Sequence, residues 1–176
     1  MKVAGSAKKE INFYRALQGK HPNLLEIYNI YKSDNNIYIV MEYCKDGDLR
    51  GILKKKGRIS EDEAIKVLKA TISGLAFLQE NEIMHRDIKP GNIIYDKGVY
   101  KICDYGLSKV IDPNTVSKMT AVGTPVYMPP EILRKDYRYT PNVDTFAAGV
   151  MVYECLYGNR PWDRALSKFR RDPGFN

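Results

Sequence analysis

The stretch IMHRDIKPGNIIYD, residues 83–96, constrains this chain more than any other. Apolar side chains stand at both of its ends, Ile83 and Met84 on one side and Ile93, Ile94 and Tyr95 on the other. Between them lie His85, Arg86, Asp87, Lys89 and Asn92, with Pro90 and Gly91 as turn residues. The chain must leave one buried element, present a compact set of charges and enter another buried element. That pattern is either an exposed turn or a loop built to do chemistry, and the rest of the sequence decides between them.

The surrounding pattern is α+β, on a length that suits one domain with its own core. Residues 7–18 place Ile11, Tyr14 and Leu17 at helical spacing, with Gly19 as a stop. LLEIYNIY and IYIVMEYC are β-branched and aromatic runs joined by KSDNN, a hairpin signal. A short helix is expected over 48–55. A longer one follows Ser60 and Glu63, which form a capping box, with Ile65, Leu68, Ile72 and Leu75 as its core face. NIIYD and VYKICDY read as two strands around a Lys-Gly turn, and 106–130 as a long irregular loop of the kind that carries function. Thr140 caps a last helix, with Pro141 at its first position and Gly158 past its end. The interior of that helix is apolar nearly all round, so it belongs at the centre of the core, and a buried Asp144 within it needs a partner.

Composition narrows the classes. No apolar run approaches the roughly eighteen residues of a membrane span, so no membrane association is expected. The first residues lack a signal-peptide apolar stretch, which makes the cytosol the default location and the nucleus the alternative. Cys44, Cys103 and Cys155 are too few and too far apart for a disulfide framework or a CxxC metal site. The net charge of +7 comes from scattered clusters near turn signals, at 54–56, 134–138 and 168–171. No nucleic-acid-binding motif accompanies them, so solvated basic faces are expected and a nucleic-acid partner is not.

HRDIKPGN at 85–92 resembles the catalytic loop of eukaryotic protein kinases. Three further motifs follow in that family's order. DYG at 104–106 resembles the metal-binding DFG motif, GTPVYMPPE at 123–131 the end of an activation segment, and VDTFAAGV at 143–150 the central helix with its aspartate. The resemblance runs from about residue 7 to residue 163. It implies a partial bilobal protein-kinase-like fold, one domain over 1–176. An N-lobe remnant of one helix and two strands would cover about 1–43, and a mainly helical C-lobe core 44–176.

The implied reaction is transfer of the ATP γ-phosphate to serine or threonine hydroxyls of protein substrates. Such transfer asks for positioning and charge neutralisation more than for covalent catalysis. By resemblance, Asp87 would accept and orient the substrate hydroxyl and Lys89 would offset phosphate charge, while Asn92 and Asp104 would hold Mg2+ through hard oxygen ligands. Met41 would be the gatekeeper of the nucleotide pocket. Backbone groups of Glu42 and Cys44 would face the adenine, Asp48 the ribose, with Ile94 as floor and Cys103 at the border. Glu10 occupies the place of a helix glutamate that pairs with a strand lysine. Tyr14, Ile27, His85 and Tyr105 match the stacked spine, with Asp144 at its base. Lys89 with Thr124 points to serine/threonine rather than tyrosine substrates. Thr120 aligns with an activation-loop phosphosite for an upstream kinase, Arg86 supplying the guanidinium.

The sequence also departs from that pattern. These 176 residues hold no GxGxxG loop and no strand lysine ahead of Glu10, and the resemblance puts the late arginine that would pair with Glu131 in the last C-lobe helices, which are expected to be missing. The expectation is weak transfer by this chain alone, a buried unpaired Glu131, and exposed apolar surface along 141–157. The alternative is a non-catalytic kinase-like scaffold or nucleotide-binding module. Tyr105 in place of a phenylalanine needs a hydrogen-bond partner for its hydroxyl.

Overall fold

The computed structural model describes residues 21–34, 36–105, 107–110, 122–133 and 140–163. The helix expected over 7–18, with Glu10 and Tyr14, and the loop residue Thr120 lie outside them. Strands β1 (Ile27–Lys32) and β2 (Ile37–Met41) form the expected antiparallel hairpin, with Ile30 opposite Ile39 and Tyr31 opposite Tyr38. β1 starts later than LLEIYNIY suggests, because the residues before it join another sheet. Leu25 donates to the carbonyl of Ile102 and Ile102 donates to that of Asn23, each at 2.8 Å.

Helix α1 (Leu49–Lys56) begins at Asp48, whose Oδ1 accepts the Gly51 amide at 2.7 Å, so the side chain acts as an N-cap. Helix α2 (Glu61–Glu80) begins at Ser60, whose hydroxyl oxygen accepts the Glu63 amide as expected. Glu63 is engaged elsewhere: it accepts the Tyr100 hydroxyl at 2.6 Å and the Lys66 ammonium at 3.0 Å. That second half of the capping box is replaced by a tie to the sheet.

The buried stripe of α2 is Ala64, Val67, Thr71, Gly74, Leu75 and Leu78, offset from the face expected. Ile65 and Ile72 point outward, 41% and 39% exposed. Close approach explains the shift, because a Cβ on Gly74 would lie 2.9 Å from Ile102 Cδ1 and 3.1 Å from the Asn23 carbonyl. The helix meets the sheet through its small residues, and Val67 and Leu78 fill the flanks without exposure. Burial of side chains of that size stabilises by about 1.5–3 kcal/mol each.

β3 (Ile83–Met84) leads into the polar loop, which ends in a 3-10 turn at Pro90–Asn92. β4 (Ile93–Asp96) and β5 (Val99–Ile102) pair antiparallel around Lys97 and Gly98, whose positive φ of 49° and 88° are those of a tight hairpin turn. The stretch expected to be irregular contains β6 (Lys109–Val110), paired with β3, and a 3-10 turn at Pro125–Tyr127, and the short helix α3 (Pro130–Leu133) begins at its end. Glu131, in the first turn of α3, is half-buried rather than buried.

Helix α4 (Asn142–Tyr157) packs on α2 and buries Val143, Asp144, Ala147, Ala148, Val150, Met151 and Cys155. It starts slightly later than expected, and the Thr140 carbonyl takes the Val143 amide at 3.1 Å. It ends at Gly158, where φ is 71° and a Cβ would meet the Gly57 carbonyl at 2.7 Å. Only glycine fits both demands. Tyr157 is exposed, as expected for part of this helix, and Phe146 stacks on Trp162. Among the described residues no helix is long and apolar enough to cross a membrane.

Candidate active site

The polar loop is anchored from below. Asp144, buried in the first turn of α4, accepts the amides of His85 at 2.8 Å and Arg86 at 2.7 Å. Two successive amides converge on one carboxylate because Arg86 takes φ 68°. That left-handed conformation costs about 1–2 kcal/mol for a non-glycine residue, which two hydrogen bonds to one carboxyl group can offset. Burial pushes the Asp144 carboxyl up, against the pull of these amides.

His85 is fully buried, and the directions of its ring hydrogen bonds follow from its neighbours. Nδ1 faces the Asp87 amide at 3.3 Å, which can only donate, so Nδ1 accepts. Nε2 then carries the proton and donates to the Cys103 carbonyl at 3.0 Å. The ring is a packing element, edge-on to Tyr105 at 5.8 Å. The Tyr105 hydroxyl donates to the Ile102 carbonyl at 2.9 Å, which supplies the partner it needs. Ile27 and Tyr105 are both buried in the core cluster.

Asp87 sits on the loop's rim with four donors around it. Oδ1 accepts the Thr124 amide at 2.9 Å and the Thr124 hydroxyl at 2.7 Å. Oδ2 accepts the Lys89 ammonium at 2.5 Å and the Asn92 side-chain amide at 3.1 Å. Burial raises the Asp87 pKa, but Lys89, Thr124 and Asn92 outweigh it and hold the carboxyl below the usual carboxylate range. Lys89 also donates to the Thr124 hydroxyl oxygen at 3.0 Å, closing a ring of three side chains.

Gly123 makes that ring possible. Its φ is 113°, and a Cβ there would lie 2.4 Å from the Arg86 carbonyl, so any side chain would push Thr124 away from Asp87. Asn92 donates a second time, to the Asp87 carbonyl at 2.8 Å, which turns its side-chain oxygen to the other side. Its own carbonyl accepts the Cys103 amide at 2.9 Å, so Asp104 leaves β5 beside the Asn92 turn, with φ 61° and an exposed side chain. Cys103 is packing: burial, then the neighbouring Asp104, pushes its thiol up to about 12.

The expected nucleotide-side residues lie along the segment from β2 to α1. Met41 ends β2 opposite Ile27 and is partly exposed. The Glu42 amide donates to the Glu26 carbonyl at 2.9 Å, so the backbone group Glu42 can offer a base is its own carbonyl. Its side chain accepts Lys101 at 2.5 Å, and that ion pair lowers the carboxyl against the opposing effect of burial. Cys44 is half-buried, its thiol raised by burial and then by Glu42 and Asp96. Asp48 and Ile94 form a β-bridge, and the Tyr95 amide reaches the Gly47 carbonyl at 2.9 Å, which fastens this segment to β4. Arg86 Nε donates to the Leu107 carbonyl at 2.7 Å. Three contacts carry no local sequence signal: Thr124 on Asp87, Lys101 on Glu42, and Tyr127 on Glu154 at 2.6 Å.

One loop and the Thr124 segment thus bring together a carboxylate held below its usual range, an adjacent ammonium and two oxygen-bearing side chains. Comparison with known proteins gives the family. The protein kinase domain model matches residues 2–172. The serine/threonine protein kinase OSK3 of Oryza sativa is 37% identical over 164 residues, 93% of this chain and 32% of that protein. The SNF1-related protein kinase catalytic subunit alpha KIN12 of Arabidopsis thaliana gives the same figures, 37% over 164 residues, 93% and 32%. The serine/threonine-protein kinase ATG1a of Arabidopsis thaliana is 32% identical over 166 residues, 92% of this chain and 26% of its own length. The chain belongs to the protein kinase family. It spans about a third or less of the length of these relatives, 32% of the first. ATP with Mg2+ and protein substrates are general to the family.

Proposed function

We propose that this chain carries the transfer centre of a serine/threonine protein kinase, moving the γ-phosphoryl group of ATP to a hydroxyl of a protein. The observation that carries the reading is the ionised Asp87 held by Lys89, Thr124 and Asn92. A carboxylate offers about four acceptor sites, and four donors fill them here. The substrate hydroxyl enters by displacing the longest contact, that of Asn92 at 3.1 Å, while Asn92 keeps its bond to the Asp87 carbonyl.

In the transfer, the substrate O–H bond breaks and its proton passes to Asp87. The oxygen forms a bond to the γ-phosphorus as the bond to the β–γ bridging oxygen breaks, and ADP leaves with that electron pair. Lys89, between Asp87 and Thr124, stands where it can offset charge on the moving group. The side-chain oxygens of Asn92 and Asp104 are hard donors that suit Mg2+, which when bound neutralises phosphate charge. The carbonyl of Glu42 and the backbone of Cys44, with Met41, Asp48, Ile94 and Cys103, are assigned to the nucleotide. Control by an upstream kinase at Thr120, with Arg86 as the phosphate partner, belongs to the same proposal and rests on sequence alone.

The test is incubation with γ-labelled ATP, Mg2+ and a mixed protein acceptor, followed by phosphoamino-acid analysis. The expected result is label on serine and threonine that is lost in Asp104→Asn. Calorimetric binding of Mg·ATP with no transfer, in this chain and in a full-length protein containing it, would replace this reading with a nucleotide-binding scaffold.

A further inference from the structure

An open cleft of about 480 Å³ lies beside the catalytic loop, lined among others by Arg50, Lys54, Pro90, Tyr127, Glu154 and Arg160. Two of its walls belong to the proposed centre, since Pro90 follows Lys89 and Tyr127 ends the 3-10 turn that begins after Thr124. The lining carries three cations and one carboxylate. Glu154 accepts the Tyr127 hydroxyl at 2.6 Å, and Arg160 pairs with Asp163 at 2.9 Å. Among the described residues, Arg50 and Lys54 pair with no carboxylate.

Helix electrostatics accounts for one of these two cations only. Lys54 opens the basic last turn of α1, where a positive charge complements the helix dipole. Arg50 sits in the first turn, where the dipole disfavours a cation. Its position follows the loop instead. A Cβ at residue 91 would lie 3.3 Å from Arg50 Nε and 3.4 Å from Nη2, so the guanidinium rests against the bare backbone of Gly91. A planar fork of donors held against the catalytic loop is suited to a carboxylate.

We infer that this cleft binds an acidic side chain, Asp or Glu, of the peptide substrate a few residues from the acceptor hydroxyl, with Arg50 and Lys54 setting that specificity. The inference rests on the proposed transfer reading for the place of the acceptor. Binding itself is independent of it. Gly91 is part of the device: φ there is not in the left-handed region, so a side chain is tolerated by the backbone and first meets the flexible end of Arg50.

The experiment uses fluorescein-labelled serine peptides with acidic flanks and their Asn/Gln counterparts, measured by anisotropy on the whole chain at low and moderate salt. The acidic peptide should bind roughly tenfold to a hundredfold tighter, the range for one or two charge-assisted hydrogen bonds. That preference should vanish in the double variant Arg50→Glu with Lys54→Glu, and in Gly91→Glu, which sets a carboxylate against Arg50. In the transfer assay the double variant should raise KM for the acidic peptide with kcat retained, and leave the neutral peptide unchanged. Equal binding of the two peptides, or an acidic preference that survives Arg50→Glu with Lys54→Glu, would overturn the inference. Transfer without acidic preference would sink the cleft and leave the kinase reading standing. Arg50-dependent acidic binding without transfer would do the reverse.

Discussion

The floor of the 85–92 loop and its rim are each built around a buried aspartate, and the two are tuned in opposite directions. Asp144, on the floor, meets two backbone amides, and burial pushes its carboxyl up. Asp87, on the rim, is also buried, yet Lys89, Thr124 and Asn92 overcome that burial and hold it down. The amides on the floor are fixed by the fold and cannot leave. Three of the four donors on the rim, from Lys89, Asn92 and the Thr124 hydroxyl, are side chains that can exchange for a substrate, and the fourth is the Thr124 amide. The same residue type therefore fastens the loop at one level and stays charged, on donors that can be displaced, at the other.

The sharpest way to break that comparison is Asp87→Asn. If the rim aspartate is the proton acceptor, transfer should fall by about 10²- to 10⁴-fold, the usual range for a general base. Circular dichroism should remain native, because the floor is untouched. A variant retaining transfer within a few fold of wild type would move the chemistry elsewhere. The counterpart is Asp144→Ala, which strips the partner from the His85 and Arg86 amides. Each buried amide left unpaired costs about 1–3 kcal/mol. Urea unfolding should therefore show a loss of roughly 2–6 kcal/mol. A change below about 0.5 kcal/mol would mean that water replaces Asp144 and that the floor is not what fixes the loop.

Acid separates the two residues without relying on activity. The Asp87 pKa is depressed in the fold, so the unfolded chain takes up this proton first as pH falls. Its contribution to stability is complete above the ordinary aspartate range and is lost as pH drops through the lower folded value. Asp144 is raised, so its contribution has the opposite sense and is lost as pH rises through the folded value. On acidification from pH 6 to pH 3, the stability gap between wild type and Asp87→Asn should narrow. The gap between wild type and Asp144→Asn should widen. Parallel trends would show that the two sites are not tuned apart.

Much of the rim could be read from letters, because Asp87, Lys89 and Asn92 fall within one short loop whose spacing is local. The floor was legible only as a demand, an aspartate in an apolar helix that needed a partner, and the two amides answer it. Strand and helix positions followed from periodicity and caps. The face of α2 did not, because periodicity offers adjacent stripes and cannot say which one must be small enough to touch a sheet. Gly74 against Ile102 decides that, and it throws Ile65 and Ile72 outward. Asp48 looked like a ligand contact, and the structure also uses it as a helix cap. The Thr124 contact spans 37 residues, and no local pattern announces it.

That contact supplies the finest test of how the rim works. Thr124→Val keeps the shape of the side chain and the amide bond to Asp87, and it deletes the hydroxyl. The hydroxyl gives a 2.7 Å bond to Asp87 and takes a 3.0 Å bond from Lys89, so its loss frees the ammonium from one of two restraints. Each such bond is worth about 1 kcal/mol net. Transfer should therefore fall by roughly threefold to thirtyfold, far less than for Asp87→Asn. The acid profile gives an independent reading: with one stabilising donor removed, the carboxyl of Asp87 should titrate closer to the ordinary aspartate range than in wild type. Thr124→Ser, which restores the oxygen without the methyl, should recover both properties. Failure of the serine variant to do so would assign the effect to packing around Gly123 and Arg86, and the rim would then be held by shape and not by exchangeable donors.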